Sequence, residues 1–418
     1  MNPFYNIGIK AYALGVKIAS VYKAKAKKML RGQAETFKTL EENIDTEKEY
    51  IWFHASSLGE FEQGRPLIEK IKADYPEAKI LLSFFSPSGY EVRKGYSNAD
   101  VVVYLPFDTP QNVARFLSLV RLKMAIFIKY EFWGNYLQEL KRREIPTYII
   151  SAIFRPGQVF FRPWGRMFAD MLRCYTTIFV QNEESRALLR KIGVENVEIS
   201  GDTRFDTVAK VRENAKEFPA IEHMTEKSPL TLVMGSSWQP DEDIVIPYFN
   251  THPEVKLIIA PHEFNNERLN AIKARMKRPT SLYTMTPESE AAEVDCLIID
   301  CFGILSSIYR YGQVAYVGGG FGSGIHNVNE AAVYGIPVIF GPKHEKFQEA
   351  KDLIACGGAF EVKSAEDFAA VMNKLQEKPD LLRRSGQMSR NYIETHLGAT
   401  EFIYKNIFSS LRIRKSVN

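Results

Sequence analysis

Residues 54–64 read HASSLGEFEQG and follow a short apolar run, EYIWF. Glu60 falls next to Gly59 at the point where a strand is expected to turn into a helix. A carboxylate in a first helical turn offsets the positive end of the helix dipole by roughly 0.3–1 kcal/mol, which is one sufficient explanation for it. A second stretch with chemical content is VGGGFGSGIHNVNEAAVYGIPVIFGP, residues 317–342, in which an apolar strand runs into five glycines within seven residues. Glycines let a backbone approach a ligand closely, and a helix start offers unpaired N–H groups to a phosphate. The helical spacing begins near His326 and places Glu330 one turn inside that helix, where it would accept hydrogen bonds from ribose hydroxyls. A tight turn needing positive φ explains the same glycines without a ligand. A second helix start, GSSWQPDED at 235–243, adds weight to a nucleotide-bearing donor, because Ser236 or Ser237 could cap it and meet a phosphate. His262, in IIAPHEF, also follows a strand, and His326 either joins the donor site or simply caps the glycine loop.

The elements that must position these residues follow a simple pattern. From residue 49 onward, EYIWFHA, KILLSFF, DVVVYLP, LKMAIFI, PTYIISA and TTIFVQN have the composition of buried parallel strands, each followed by a stretch of helical period. A polar stretch at 212–229 breaks the alternation and reads as a linker. It resumes with LTLVMGSS, VKLIIAP, DCLIID, QVAYVGG and IPVIFGP. The expected architecture is α/β, two doubly wound parallel-sheet domains with ligand sites at the carboxyl ends of the strands, in a cleft between them. The expected boundaries are a basic amphipathic segment at 1–34, a first domain at 35–211, the linker, a second domain at 230–398, and a helix with a basic tail at 399–418. No G-x-x-x-x-G-K-[ST] loop is present, which disfavours ATP hydrolysis, and no G-x-G-x-x-G opens the first βαβ unit, which argues against a dinucleotide dehydrogenase.

The chain has 418 residues, 45% hydrophobic and 25% charged, the balance of a folded protein with room for two cores. Its four cysteines form no metal-spaced cluster and read as reduced core residues of a cytosolic protein. The net charge of +4 is unevenly spread: the first 34 residues hold seven lysines and arginines and no acid, leaving 47 basic against 50 acidic residues. Basicity so local is unlike the broad basic face of a nucleic-acid binder. Within it, residues 5–22 are apolar except along a stripe of Asn6, Lys10, Ala13, Lys17 and Ser20, followed by KAKAKKMLR. Two lysines make a spanning helix costly, and the pattern suits a helix lying in a membrane interface over anionic lipid, against the plainer reading of a helix packed on its own protein.

Together these stretches resemble the 3-deoxy-D-manno-octulosonate (Kdo) transferases acting on lipid A precursors, inverting glycosyltransferases with two Rossmann-like domains, the GT-B fold. The resemblance rests on HASSLGE (54–60), EFWGN (131–135), GDTRFD (201–206), GSS (235–237) and GIHNVNEAAVYGIPVIFGP (324–342). It implies that Glu60 is the general base, with Ser57 and Gly59 in the acceptor-binding turn, and that Glu131 is a second functional carboxylate. It also implies CMP-Kdo as donor, a lipid A precursor as acceptor, no metal cofactor, and a place on the cytoplasmic face of the inner membrane. Donor-binding residues implied by it are Ser236, Ser237, His262, Gly324, His326, Asn327 and Glu330. Arg155, in an FRPG turn, is a candidate acceptor-phosphate contact. The sequence departs from the family pattern at Lys129, where an acid is usual, at Pro261 in place of an arginine, and at Lys346 in place of an asparagine. Lys129 either binds substrate charge or pairs with Glu131, and Arg268 is a candidate substitute for the missing arginine. Two other readings share much of this pattern: a GT-B transferase with a UDP-sugar donor, and a non-catalytic sugar-nucleotide-binding protein.

Overall fold

The computed structural model describes residues 3–415, with side chains through residue 408. The chain divides into two compact units, residues 1–207 with 398–418, and residues 208–397. In the first unit, β1 (Tyr50–Ala55), β2 (Lys79–Phe84), β3 (Val101–Tyr104), β4 (Leu122–Ile128), β5 (Thr147–Ala152), β6 (Thr177–Val180) and β7 (Val197–Ile199) form a sheet ordered β3-β2-β1-β4-β5-β6-β7. Every pairing is parallel. All residues of β1 and β5 are buried, as required of strands covered on both faces. Alternate residues of β1 therefore serve opposite faces. Trp52 packs with Phe116, Phe127 and Tyr136, whereas Ile51 and Phe53 join Phe61, Leu67 and Ile71 of the following helix.

The second unit repeats the plan with β8 (Leu230–Ser237), β9 (Val255–Pro261), β10 (Thr280–Leu282), β11 (Cys296–Ile298), β12 (Val314–Val317), β13 (Val338–Phe340) and β14 (Ala359–Glu361). Their order is β10-β11-β9-β8-β12-β13-β14, again with parallel pairing throughout. In each sheet the order reverses beside the first strand, between β1 and β4 and between β8 and β12. Ligands of doubly wound sheets bind at the carboxyl ends of the strands at such a switch point.

The N-terminal segment is two helices, α1 (Pro3–Ala19) and α2 (Ala24–Asn43). No residue of α1 is fully buried, and Phe4, Ile7, Leu14 and Ile18 are each 59–78% exposed. The side facing the protein carries Tyr5 and Asn6: the Tyr5 hydroxyl donates to Asp108 at 2.6 Å, and Asn135 donates to the Asn6 side chain at 2.8 Å. Asn6 thus docks α1 onto its own unit, while Lys10 and Lys17 stay exposed. The boundary expected at residue 34 falls inside α2, whose Met29, Thr36 and Leu40 are buried and whose Thr36 hydroxyl donates to the Tyr104 carbonyl. Among the described residues no helix is long and apolar enough to cross a membrane.

Two further expectations are corrected. Residues 212–229 are not a bare linker: they include the end of the helix Arg204–Glu213 and the helix Pro219–Thr225, whose Ile221 and Met224 are buried. The cysteines are free, but only Cys296 is buried; Cys174 and Cys301 are half-buried and Cys356 is exposed. The C-terminal helix, Ala399–Lys415, belongs to the first unit, with Ile403 and Ile407 in the core beside Phe61. The side chains of the basic tail at its end lie outside the described residues.

Candidate active site

Glu60 stands in the first turn of α3 (Leu58–Asp74), directly beyond β1 and therefore at the switch point of the first sheet. Its carboxylate accepts from the Ser57 backbone N–H at 2.9 Å and from the Ser57 hydroxyl at 3.1 Å. The helix-terminus explanation is therefore real: Glu60 closes the start of α3 in the manner of a capping box. It does not exhaust the residue, because Glu60 is half-buried and its ionisation is pushed above the usual carboxylate value. Burial is the largest cause and the nearby Glu131 the next, opposed by the Ser57 bonds and by His54. A Cβ on Gly59 would meet no atom within 4 Å, so the glycine keeps open space beside the carboxylate.

Glu131 follows β4 and is 2% exposed. His54, the penultimate residue of β1 and fully buried, holds it: its Nε2 lies 2.9 Å from Glu131 Oε2, and its Nδ1 faces Ser83 on β2. The Trp133 indole N–H also donates to this carboxylate, and the Tyr175 hydroxyl donates to the Glu131 carbonyl. Between β4 and Glu131 lie Lys129, whose φ of 70° is rare for a side-chain-bearing residue, and Tyr130. The Lys129 ammonium lies 5.4 Å from the Tyr130 ring centre. Tyr130 also feels Arg155, which hydrogen-bonds it, as well as Arg204 and Glu60. The structure thus brings Ser57, Glu60, Lys129, Glu131 and Arg155 to the carboxyl ends of adjacent strands. His54, Tyr130 and Arg204 complete the group and were not singled out from sequence, although His54 heads the HASSLGE motif and Arg204 lies in GDTRFD.

In the second unit Ser236, with φ of 52°, and Ser237 end β8. Neither caps the next helix, Gln239–Thr251, whose N-cap is Trp238; the Asp241 carboxylate accepts from the Trp238 N–H at 3.0 Å. Asp241 also accepts from the Gly319 N–H at 2.9 Å and the Tyr316 hydroxyl at 3.0 Å, so the helix start and the glycine loop are latched together by a buried acid. The Ser237 hydroxyl donates to Glu242, and Arg268 is bound to the same carboxylate at 2.6 Å, which occupies the cation expected to replace the missing donor arginine.

The loop glycines have a packing cause. A Cβ on Gly318 would lie 2.3 Å from the Ser236 carbonyl, and one on Gly319, with φ of 94°, 2.4 Å from that of Gly324. The helix expected from His326 is only four residues, Asn329–Ala332, with Glu330 in its first turn and bonded to Asn327 at 3.1 Å. His326 instead stacks on His262 with ring centres 4.2 Å apart and accepts from the Trp238 indole at 3.2 Å. Burial and the neighbouring His262 hold His326 down at about 4, so it meets a ligand as a neutral ring. Gly324, His326, Asn327 and Glu330 lie on the β12 side of the switch point, and Ser236, Ser237 and His262 on the β8–β9 side. Among the described residues no three His, Cys, Asp or Glu side chains are placed to hold a metal ion.

Residues 31–207 match the family model described as 3-deoxy-D-manno-octulosonic-acid transferase (kdotransferase). The 3-deoxy-D-manno-octulosonic acid transferase of Aquifex aeolicus is 28% identical over 346 residues, 80% of this chain and 88% of that one. That of Haemophilus influenzae is 25% identical over 331 residues, 76% of each chain. Among solved structures, Acinetobacter baumannii MurG superposes with a TM-score of 0.57 at 13% identity over 87% of this chain and all of that one. A putative UDP-N-acetylglucosamine 2-epimerase from Listeria monocytogenes gives 0.55 at 12%, covering 87% and 97%. Two Rossmann-like units and these likenesses define a GT-B fold. The sequence matches are more particular: the chain is similar to Kdo transferases, through a family model over residues 31–207 and through relatives of 28% and 25% identity.

Proposed function

We propose that this protein transfers Kdo from CMP-Kdo to the 6′-hydroxyl of a lipid A precursor in lipopolysaccharide synthesis, with Glu60 as general base. The observation that carries this reading is Glu60 itself: a half-buried carboxylate at a switch point, pushed toward a higher proton affinity by burial and Glu131, with open space beside Gly59. A base is most effective when its proton affinity is raised toward the working pH. In the reaction the acceptor hydroxyl gives its proton to Glu60 while its oxygen bonds to the anomeric carbon. The bond from that carbon to the CMP oxygen breaks, and CMP leaves with the electron pair. Displacement from the face opposite CMP inverts the centre and needs no covalent intermediate.

In this reading Glu131 orients the acceptor, and Lys129, Arg155 and Arg204 supply positive charge for its phosphates. Ser236, Ser237, His262, Gly324, His326, Asn327 and Glu330 receive the donor, with Glu330 on the ribose and the neutral His326 as a stacking and hydrogen-bonding surface. The donor's single phosphate and carboxylate are met without a divalent ion. The outward apolar side of α1, flanked by lysines, rests on an anionic inner membrane at its cytoplasmic face.

Glu60→Gln tests the base. Glutamine still accepts from Ser57, so thermal stability should change little, while turnover falls on the order of 100-fold or more. Wild-type turnover should rise with pH through a limb above the ordinary carboxylate range, because only ionised Glu60 accepts the proton. Turnover within a few fold of wild type in the glutamine variant would remove Glu60 from the mechanism.

A further inference from the structure

The helix Gly134–Arg142 starts directly after the turn that carries Glu131, and its first N–H groups need partners from outside the helix. Its N-cap residue, Trp133, supplies no side-chain cap. The partners come from elsewhere in the first unit. The Gly134 N–H donates to the Tyr5 hydroxyl at 3.0 Å, and the Asn135 and Tyr136 N–H groups donate to Asp108, each at 2.9 Å. The Tyr5 hydroxyl in turn donates to the same Asp108 carboxylate at 2.6 Å, so it is engaged both as donor and as acceptor. A residue of α1 thus closes the start of a helix 129 residues further along the chain. Tyr12, two turns further along the same side of α1, makes a second line of contact. It stacks on Phe85, with ring centres 6.2 Å apart and planes at 22°, and meets Phe107 edge-on at 6.0 Å. Phe85 packs on Trp133 at 4.7 Å. The Trp133 indole N–H donates to the Glu131 carboxylate and to His54 Nε2, so both lines from α1 end on the turn that holds Glu131.

We propose that α1 is part of the scaffold of the transfer site: Tyr5 and Tyr12 are positioning residues that hold the EFWG turn, and through Trp133 the Glu131 carboxylate, in the arrangement the acceptor meets. This rests on the reading of Glu131 as the residue that orients the acceptor. A helix serving only to hold the protein on a membrane needs its outward apolar residues, here Phe4, Ile7, Leu14 and Ile18, and ordinary packing beneath them. Tyr5 gives more than packing, because it satisfies a helix-start N–H that no other group among the described residues reaches. Tyr12 gives a ring to an aromatic row that ends on the indole bonded to Glu131. Loosening either contact frees the turn without touching Glu60 or the donor residues of the second unit. Displacing a substrate-orienting group by about 1 Å costs on the order of 100-fold in rate, so even a small movement of the turn is measurable in kcat.

The experiment uses the full chain in two arms. In the first, Kdo transfer is measured with saturating acceptor in nonionic detergent micelles free of anionic lipid, so that attachment to a membrane does not enter the rate. Tyr5→Phe keeps the ring and loses both hydrogen bonds. Its kcat should fall about tenfold or more, while KM for CMP-Kdo moves by less than about twofold. Tyr12→Ala should lower kcat in the same way and Tyr12→Phe should restore it, because only the ring is in contact. Tyr12 is half exposed, so Tyr12→Ala carries the test where Tyr5→Phe is unstable. Unchanged kcat in the folded variants, whatever their binding to anionic vesicles, makes α1 an anchor alone and overturns the proposal. The second arm needs no turnover. In protein with 15N in its tryptophan rings, the Trp133 indole N–H resonance, assigned with Trp133→Phe, should move in Tyr5→Phe and in Tyr12→Ala and stay in place in Tyr12→Phe. A resonance unmoved by either change overturns the proposal even where rates fall. A wild type with no transfer from CMP-Kdo defeats the functional reading, and with it any role of α1 in transfer, while the resonance still decides whether α1 holds the turn.

Discussion

Asp108 shows how much of the site's support rests on single buried groups. Fully buried, it accepts from the Tyr5 hydroxyl and from the Asn135 and Tyr136 N–H groups at 2.9 Å, which start the helix Gly134–Arg142 directly after the EFW turn bearing Glu131. Burial pushes its carboxyl from 3.8 to about 6 despite those bonds. The folded chain then keeps a proton that the unfolded chain releases across that window, so this group's contribution is fully present below the lower value and is lost as pH rises through the upper one. Asp108→Asn lacks that loss. Its stability should therefore improve relative to wild type as pH rises from about 4 to about 7, by on the order of 3 kcal/mol, and run parallel above it; parallel melting curves at every pH would contradict this. At this scale the sequence was partly legible. Glu60 and Glu131 stood out because a motif framed them. His54, Trp238 and Asp241 carry as much of the geometry, but a lone histidine in a strand or an acid in a helix start has too many ordinary explanations to be chosen from sequence.

At the scale of elements, α1 was legible in type and period, but not in orientation. Which side faces the protein is decided by Tyr5 and Asn6, whose partners lie more than a hundred residues away at Asp108, Gly134 and Asn135. What remains outward is the spacing Phe4, Ile7, Leu14, Ile18 and Val21, all exposed. Leu14→Asp with Ile18→Asp removes little packing, so stability should hold while binding to anionic vesicles falls several-fold; unchanged vesicle binding would show that α1 is not the membrane contact. The other eleven strands could be read from their apolar runs. β7, β10 and β14 could not, because these edge strands are three residues each, VEI, TSL and AFE, and are too little buried to need an apolar run. The helix at Asn329 was overdrawn for a related reason: helical spacing after the glycine loop is satisfied by one turn as well as by three.

At the scale of the molecule, alternating strands and helices were enough to give two doubly wound units, and the two switch points then place the candidate residues at the strand ends. The unit boundary was less legible, because the helix Arg204–Glu213 runs through it, and so was the return of the last helix to the first unit. Chain return is fixed by Ile403 and Ile407 packing beside Phe61, a tertiary choice that no local pattern records. The central claim is a reaction, and the most direct measurement is the mass of a tetra-acylated lipid A precursor after incubation with the purified chain and CMP-Kdo generated in situ. A gain of one or more Kdo units, absent with Glu60→Gln, is the predicted result. An unchanged acceptor mass with folded wild-type protein and intact CMP-Kdo would contradict it.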